Sequence, residues 1–432
     1  MTQLSADCLN DIFEYLENDK ETLNSCLLVN RLWCEVSVRI LWRNIWEFWD
    51  YVSHSTNQRS RQIIKTLVAC LPNESRTLLH ENGIFLETPT LNPPLFNYIS
   101  FCKVLSIRAI NYIVIYSLKF NLKFTQKILI MQEILKMIMR MSSLKILEYK
   151  VHANIRVNLA HLPGVIDCLK NLSVLKIYSN VDYEIFNLLS QNCRNITSLS
   201  IQFQNYVSKG SIDLISSQNK LKHLSLISIH FIYGSYSFIT PLTKHSNTLI
   251  KLEIHGIMNM ENLHSVTFQQ LKILRLYQCH KHEYLDRFLE NNGKSLRELC
   301  TDDDSINLSI AKFCPNLSSL HTAKFDDTKE LKLILNSCKQ LESIQVFYHD
   351  EKESLEVLAK YAPKNFYKLR LLQKNNLLTF KDLEDFFMNW EHRTQRKSLS
   401  LTIMGRSANN LEIMNVVEKY IKLGVVRKFE IL

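Results

Sequence analysis

The sequence predicts an α/β solenoid, a stacked array of strand and helix repeats, preceded by a small module of three helices. Three observations predict this fold. A short apolar phrase recurs through most of the 432-residue chain, apolar stripes at helical spacing lie between its copies, and the first 46 residues carry three further stripes of the helical kind.

The recurring phrase has apolar residues at positions i, i+3 and i+5. Its strongest copies begin at Leu172, Ile196, Leu221, Leu249 and Leu271, and weaker ones at Leu296, Leu317, Leu341, Phe366 and Val426. Further copies begin at Cys102 and Leu144, with a poor one around Leu399. Successive starts from 172 to 366 are 21 to 28 residues apart, which is the period of leucine-rich repeats. We therefore expect about twelve repeats whose parallel strands line one concave face.

Each predicted repeat joins a strand to a helix. The alternation inside a phrase buries one face of a short strand, and stripes such as Ile185, Leu188 and Leu189 indicate the helix that follows. A unit of this size is not stable alone, so the repeats must stack. Cysteines three residues before the phrase, at Cys193, Cys314 and Cys338, are similar to those of the cysteine-containing class of leucine-rich repeats and read as small buried hydrophobes.

The first 46 residues predict three short amphipathic helices. Ser5, Asp19 and Asn30 are placed to cap them. The apolar positions at helical spacing are Leu9, Ile12, Phe13 and Leu16 in the first helix, Leu23, Cys26 and Leu27 in the second, and Trp33, Val36, Ile40 and Leu41 in the third. A chain of about 45 residues buries too little surface to be stable unaided. These helices therefore need a partner surface.

A dense set of motif positions runs through the same helices. It comprises Leu4-Ser5-Ala6-Asp7-Cys8-Leu9, Ile12-Phe13-x-x-Leu16, Leu23-x-x-Cys26-x-x-Val29-Asn30-Arg31-x-Trp33-Cys34 and Leu41-Trp42. This pattern resembles an F-box, especially the fungal form. The resemblance implies docking onto the Skp-type adaptor of a cullin-based (SCF-type) ubiquitin ligase, through Leu4, Ser5, Leu9, Ile12, Phe13, Leu16, Cys26, Val29, Trp33, Leu41 and Trp42.

One position departs from the family pattern and leaves a second interpretation open. The family usually has Leu-Pro at its start, and Ser5 stands where the proline would be. Serine lacks the fixed φ of proline. The alternative is a leucine-rich-repeat interaction scaffold outside any ligase, with a degenerate F-box.

The chain divides into three predicted segments. Residues 1–46 form the F-box, residues 47–100 a linker and irregular connecting segment, and residues 101–432 the repeat solenoid. Pro72, Pro89, Pro93 and Pro94 punctuate the connecting segment. The first strand is expected within Phe101 to Ile107.

The outward strand positions of the solenoid predict a target-binding face. Strand side chains alternate between faces, so the residues between the buried members of each phrase point outward. They include aromatic and basic types suited to binding hot spots, namely Lys176, Tyr178, His223, Lys251, His255, Arg275, Tyr277, His321, Phe347 and Arg370. Residues 1–50 hold four Lys or Arg against nine Asp or Glu, whereas the whole chain carries +10. The basic solenoid favours an acidic target protein.

Other function classes lack their signatures. With eight glycines in the chain, no phosphate-binding loop or nucleophile elbow is present. Cys279-His280-x-His282-Glu283 groups metal-ligand types without a convincing fourth ligand, so we expect no metal and no cofactor. Lysines are dispersed, which argues against nucleic acid, and the apolar run from Ile110 to Leu118 is too short for a membrane span. Eleven cysteines without a CxxC pair indicate reduced thiols. We expect a non-enzymatic protein of the cytoplasm or nucleus.

Overall fold

The computed structural model describes most of the chain in two compact units. Described are residues 4–48, 56–85, 94–118, 122–150, 157–204, 206–232, 237–257, 261–278, 282–322, 328–348, 352–373, 378–393, 397–404 and 411–431. The N-terminal unit comprises Met1–Ile201 and Asp213–Lys220, and the C-terminal unit comprises Gln202–Ile212 and Leu221–Leu432.

The N-terminal unit begins with three helices that share one core. They are α1 (Ala6–Glu14), α2 (Lys20–Cys26) and α3 (Arg31–Leu41), and a kinked 3-10 segment (Trp42–Phe48) follows. Ser5, Asp19 and Asn30 cap the helices as expected, because each side chain accepts a hydrogen bond from a backbone N–H three residues on. We call residues 4–48 the three-helix module. Its core consists of Leu9, Phe13, Leu23, Cys26, Val36, Ile40 and Leu41.

The expectation of irregular structure between the module and the repeats is wrong. The described part of residues 47–100 contains α4 (Thr56–Ala69), α5 (Asn73–Glu81) and the start of α6 (Tyr98–Phe101). Pro72 is the residue immediately before α5 and has φ −58°, so it begins this helix instead of interrupting one. Pro89 and Pro93 lie outside the described residues.

The repeats of the N-terminal unit begin with β1 (Val104–Ser106), inside the range expected for the first strand. Two helices, α7 (Ile107–Ser117) and α8 (Phe124–Met141), precede β2 (Ile146–Tyr149). There follow α9 (Val165–Leu169), β3 (Val174–Tyr178), α10 (Tyr183–Asn192), β4 (Ser198–Phe203) and α11 (Lys209–Ser217), the last two divided between the units. Leu105, Leu147 and Leu175 align on parallel strands and are buried.

The C-terminal unit continues the same alternation. Its strands are β5 (His223–Ile232), β6 (Lys251–Ile257), β7 (Ile273–Tyr277), β8 (Glu298–Thr301), β9 (Ser319–His321), β10 (Ser343–Tyr348), β11 (Lys368–Gln373), β12 (Leu399–Met404) and β13 (Val426–Ile431). Its helices are α12 (Ile239–Lys244), α13 (His282–Asn292), α14 (Asn307–Phe313), α15 (Thr328–Ser337), α16 (Lys352–Tyr361), α17 (Phe380–Glu391) and α18 (Leu411–Lys422).

Adjacent strands of the C-terminal unit pair in parallel and in chain order. One register row runs through Leu224, Leu252, Leu274, Leu299, Leu320, Ile344, Leu369, Leu401 and Phe429. All of these side chains are buried except Phe429, which is half-buried. Every predicted phrase therefore coincides with a strand, and the leucine-rich-repeat solenoid is confirmed as the fold.

Backbone hydrogen bonds join each repeat to the one before it. The two residues that enter a strand donate their N–H groups to a single carbonyl of the preceding repeat: Ser173 and Val174 bond to Lys145, at 2.9 and 3.0 Å. The buried turn residues add side-chain bonds of the same kind. The Cys338 thiol donates to the Cys314 carbonyl at 3.2 Å, and burial raises the pKa of Cys338 to about 12. These thiols are therefore structural groups, as expected.

The three-helix module covers the edge of the first strand. Lys103 donates its N–H to the Arg43 carbonyl at 2.9 Å, just as Lys145 donates to Lys103 at 2.7 Å. Arg43 thus takes the place that a preceding repeat would fill. The Trp46 indole donates to the Val104 carbonyl at 2.7 Å. An uncovered strand edge would leave such carbonyls unpaired.

The described helices include none that is long and apolar enough to cross a membrane.

Trp46 provides a test of the edge cover. Trp46→Phe leaves the buried Val104 carbonyl without its donor and should lower the free energy of unfolding of the N-terminal unit by about 1–3 kcal/mol. Trp46→Ala also opens a cavity and should cost about 3–5 kcal/mol. Urea unfolding followed by circular dichroism measures both.

Trp42→Phe is the matched control. Trp42 stacks on Tyr98 with ring centroids 4.5 Å apart, and its indole makes no hydrogen bond within the described part of the chain. Equal losses for Trp46→Phe and Trp42→Phe would contradict a role for the indole hydrogen bond.

Candidate functional site: the three-helix module and the outward strand face

Helix α1 carries two adjacent apolar stripes. Leu9 and Phe13 point into the core of the module, and Leu16, just beyond the helix, packs against it half-buried. Ile12 and Tyr15 lie one position away on the helical wheel and are exposed. The helix therefore holds the module together with one stripe and presents the other to solvent.

Four of the eleven predicted adaptor contacts lie in the core of the module. Leu9, Phe13, Cys26 and Leu41 are buried among one another and their neighbours. A direct adaptor contact through these four is therefore wrong, because a buried side chain offers no surface to a second protein. Leu16, Trp33 and Trp42 are half-buried against this core, and the Trp33 ring meets Phe13 edge to face at 5.1 Å.

The remaining predicted contacts lie on the outside of the module. Leu4, Ile12 and Val29 are 51%, 49% and 56% exposed, and Ser5 is exposed as well. Two further apolar side chains that the sequence analysis left out are more exposed still, Tyr15 at 91% and Leu28 at 89%. Their spacing could have indicated them: Tyr15 follows Ile12 by three residues, and Leu28 directly precedes Val29.

Ser5 adopts a backbone conformation that suits proline. Its φ is −65° and its ψ is 159°, and proline fixes φ at about −65°. The hydroxyl also accepts a hydrogen bond from the Cys8 N–H at 3.3 Å. The module therefore keeps the local geometry of a proline at this position and gains a helix cap.

An ion pair ties α1 to the segment that covers the first strand. The Arg43 guanidinium donates two hydrogen bonds to the two carboxylate oxygens of Glu14. This hydrogen bonding lowers the pKa of Glu14 below its usual range and raises that of Arg43. Arg43 thus serves the module through its side chain and the strand ladder through its carbonyl.

The strand face of the N-terminal unit holds the first two predicted target contacts. Tyr178 is buried, so its proposed contact with a target is wrong. The Lys150 ammonium lies 5.9 Å from its ring centroid. Lys176 remains accessible, but its ammonium pairs with Glu148 on the neighbouring strand at 2.6 Å.

Two of the predicted basic contacts of the C-terminal unit are also paired with carboxylates. Lys251 lies 3.0 Å from Glu253, and Arg275 lies 2.6 Å from Glu298. The hydrogen bond and charge of Arg275 outweigh desolvation and lower the pKa of Glu298. These pairs neutralise much of the positive charge that the sequence assigned to this face.

The histidines and the tyrosine of the same face form a polar group along β5 to β9. His223 is exposed. The His255 ring lies 3.2 Å from the Gln278 amide oxygen and 5.9 Å, between centroids, from the Tyr277 ring. Burial lowers the pKa of His321, and the nearby Arg370 guanidinium lowers it further. At neutral pH His321 is therefore an uncharged hydrogen-bonding group.

Arg370 differs from the other predicted basic residues. Its Nε is buried and has no hydrogen-bond partner within the described residues. The remaining member of the predicted set, Phe347, lies on β10, and its side chain lies outside the described residues.

Neither a metal centre nor a catalytic group emerges from the geometry that is described. The described residues contain no cluster of three or more His, Cys, Asp or Glu that could hold a metal ion. Cys279 and His280 lie outside the described residues, as do the side chains of His282 and Glu283.

Comparison with known proteins gives one structural similarity. No model of a known protein family matches the sequence, and no curated protein matches it. A chain in the crystal structure of the Rad7 and Elc1 complex in yeast is 15% identical, with 97% of this chain and 91% of that chain covered and a TM-score of 0.45. A similarity at this level says nothing about function or partners.

The Glu14 pair predicts a pH dependence of stability. Because the folded state lowers the pKa of Glu14, the pair stabilises the protein above the unfolded-state pKa of about 4.3 and loses this effect as the pH falls through the lower folded value. Glu14→Gln should remove this contribution, which is about 1 kcal/mol or less for a pair this exposed. Urea unfolding at pH 7 and in mild acid measures the difference.

The control is Glu81→Gln, since Glu81 is exposed on α5 and makes no ion pair within the described residues. It should retain the acid sensitivity of the wild type. A Glu14→Gln variant with that same acid sensitivity would refute the assignment.

Proposed function

We propose that this protein is the substrate-recognition subunit of a cullin-based, SCF-type E3 ubiquitin ligase. In this proposal the three-helix module binds a Skp-type adaptor, and the repeat strands bind the target protein. The single observation that carries it is the division of apolar residues in the module between a closed core and an exposed set.

The exposed set supports a second polypeptide as the partner of the module. Leu4, Ile12, Tyr15, Leu28 and Val29 all lie within 26 residues of sequence and are about half exposed or more. Their own chain leaves them in water, although the module already has a complete core. A concentration of exposed apolar side chains of this kind is typical of a protein interface, and the F-box resemblance supplies the class of partner.

The edge cover supports the same division of labour. The segment after α3 is used up in covering the first strand through Arg43 and Trp46. The exposed side chains of α1 and of the turn after α2 take no part in those bonds. Binding to the adaptor through these residues would leave the strand cover in place.

The proposed role requires no chemistry from this chain. It would hold a target near a ubiquitin-charged enzyme that another subunit brings. We place this activity in the cytoplasm or nucleus, with the adaptor, the cullin and an acidic target protein as partners and without cofactor, nucleic acid or membrane. The alternative, a scaffold outside any ligase, rests on Ser5 alone, and the proline-like φ at Ser5 weakens it.

Co-expression with a Skp-type adaptor tests the proposal. The wild-type chain should co-purify with the adaptor in equal amounts. Ile12→Asp and Leu28→Asp should each lower adaptor recovery at least tenfold, because each places a charge in an apolar interface. Size-exclusion chromatography and densitometry of the two bands measure the recovery.

Leu308→Asp is the matched control. Leu308 is 56% exposed on α14 and lies outside the module, so this variant should retain the adaptor. A wild-type chain that is folded and soluble but fails to bind the adaptor would overturn the ligase proposal in favour of the scaffold.

A further inference from the structure

The charges on the outward strand face of the C-terminal unit change character along the stack. On β6 to β8 the cations Lys251 and Arg275 each pair with a carboxylate. On β11 and β13 the same face carries Lys368, Arg370 and Lys428, with Arg427 beside them. We call these four residues the basic patch.

Strand register defines the dimensions of the basic patch. Lys368 aligns with Ser400 on β12, which in turn aligns with Lys428 on β13. Two strand spacings therefore separate the two lysines, a distance of about 10 Å across the sheet, and Arg370 lies about 7 Å further along β11. Ser400 and Thr402, both small and buried, occupy the strand between them.

A register shift brings the fourth cation. Leu399 aligns with Val426, but Ser400 aligns with Lys428, so Arg427 is an extra residue in β13. Its guanidinium lies 4.5 Å from the centroid of the Tyr367 ring. The bulge thus adds a charge beside Lys368 without opening a gap in the sheet.

The described part of the basic patch contains one carboxylate, which leaves an excess of positive charge. Glu430 pairs with Lys428 at 2.6 Å. Neither Lys368 nor Arg370 makes a hydrogen bond or an ion pair within the described residues. Burial lowers the pKa of Lys368, and Arg370, Lys428 and Arg427 lower it further against the opposing charge of Glu430. The four cations therefore act on one another at close range.

Arg370 gives an independent sign that a ligand is missing from this surface. Its Nε is buried without a hydrogen-bond partner in the part of the chain described here, and buried N–H groups in folded proteins are nearly always paired. A guanidinium binds a carboxylate through two parallel hydrogen bonds. An incoming carboxylate would satisfy this group and offset the repulsion around it.

We propose that the basic patch docks an acidic segment of a protein, in extended conformation, with carboxylates spaced by two residues. Alternate side chains of an extended chain point the same way and are about 7 Å apart, which matches the separation of Lys368 and Arg370. The proposal rests on the proposed function only in taking the bound protein to be the target of the ligase.

A nucleic acid fits the basic patch less well. Binding of single strands combines a long basic track with exposed aromatic rings for stacking. Here the Tyr367 ring already lies against Arg427, and the cations of β6 and β7 are paired. The excess charge thus extends over three strands, a length suited to a few carboxylates.

Fluorescence anisotropy with the full chain tests the proposal. The probe is a short labelled peptide in which Glu alternates with Ser, compared with its Gln counterpart, a phosphoserine counterpart and a single-stranded DNA of equal charge. The Glu peptide should bind, with an affinity that falls as NaCl is added. The double variant Lys368→Glu with Arg370→Glu should lose at least about tenfold in affinity.

Lys220→Glu with Lys339→Glu is the matched control, since it makes the same change in net charge at exposed positions outside the basic patch. It should bind as the wild type does. The milder pair Lys368→Gln with Arg370→Gln replaces the reversal variant if the latter unfolds, as judged by circular dichroism, and should also weaken binding.

Several results would overturn the proposal: no binding of the Glu peptide, equal loss in the control variant, binding of the phosphoserine peptide alone, or tighter binding of the DNA. Adaptor co-purification reports on the three-helix module and peptide binding on the basic patch. Each can fail while the other succeeds, so the two proposals are tested separately.

Discussion

Each repeat of this protein depends on its neighbour to pair its backbone at the point where a strand begins. Ser173 and Val174 need the Lys145 carbonyl, and Lys145 needs that of Lys103. Such a ladder has a first member whose partner must come from elsewhere. Arg43 and Trp46 supply it from the three-helix module, so the module belongs to the folding unit of the first repeats.

The apolar phrase predicted the fold because its spacing reports a local constraint. Each of its positions must be buried on one strand face, and that requirement repeats with every unit. The helices between the module and β1 escaped the same reasoning. Pro72 was read as a break, whereas it occupies the residue before α5, where a missing N–H costs nothing.

The candidate site was harder to predict because exposure depends on packing across the chain. The stripe of Ile12 and Tyr15 looks as apolar as that of Leu9 and Phe13, and the contact with α2 and α3 decides which one is buried. Charge on the strand face depends in the same way on register. Arg275 and Glu298 are 23 residues apart in sequence, and the alignment of β7 with β8 brings them together.

The double use of Arg43 has a mechanical consequence. Its side chain grips Glu14 at the end of α1, and its carbonyl holds Lys103 at the entrance to β1. Helix α1 is thereby fastened to the first strand instead of swinging on a tether. If α1 anchors the chain to a larger machine, cargo on the nearest strands is held at a set distance, as by a ruler, and the choice of lysines within reach becomes a matter of geometry.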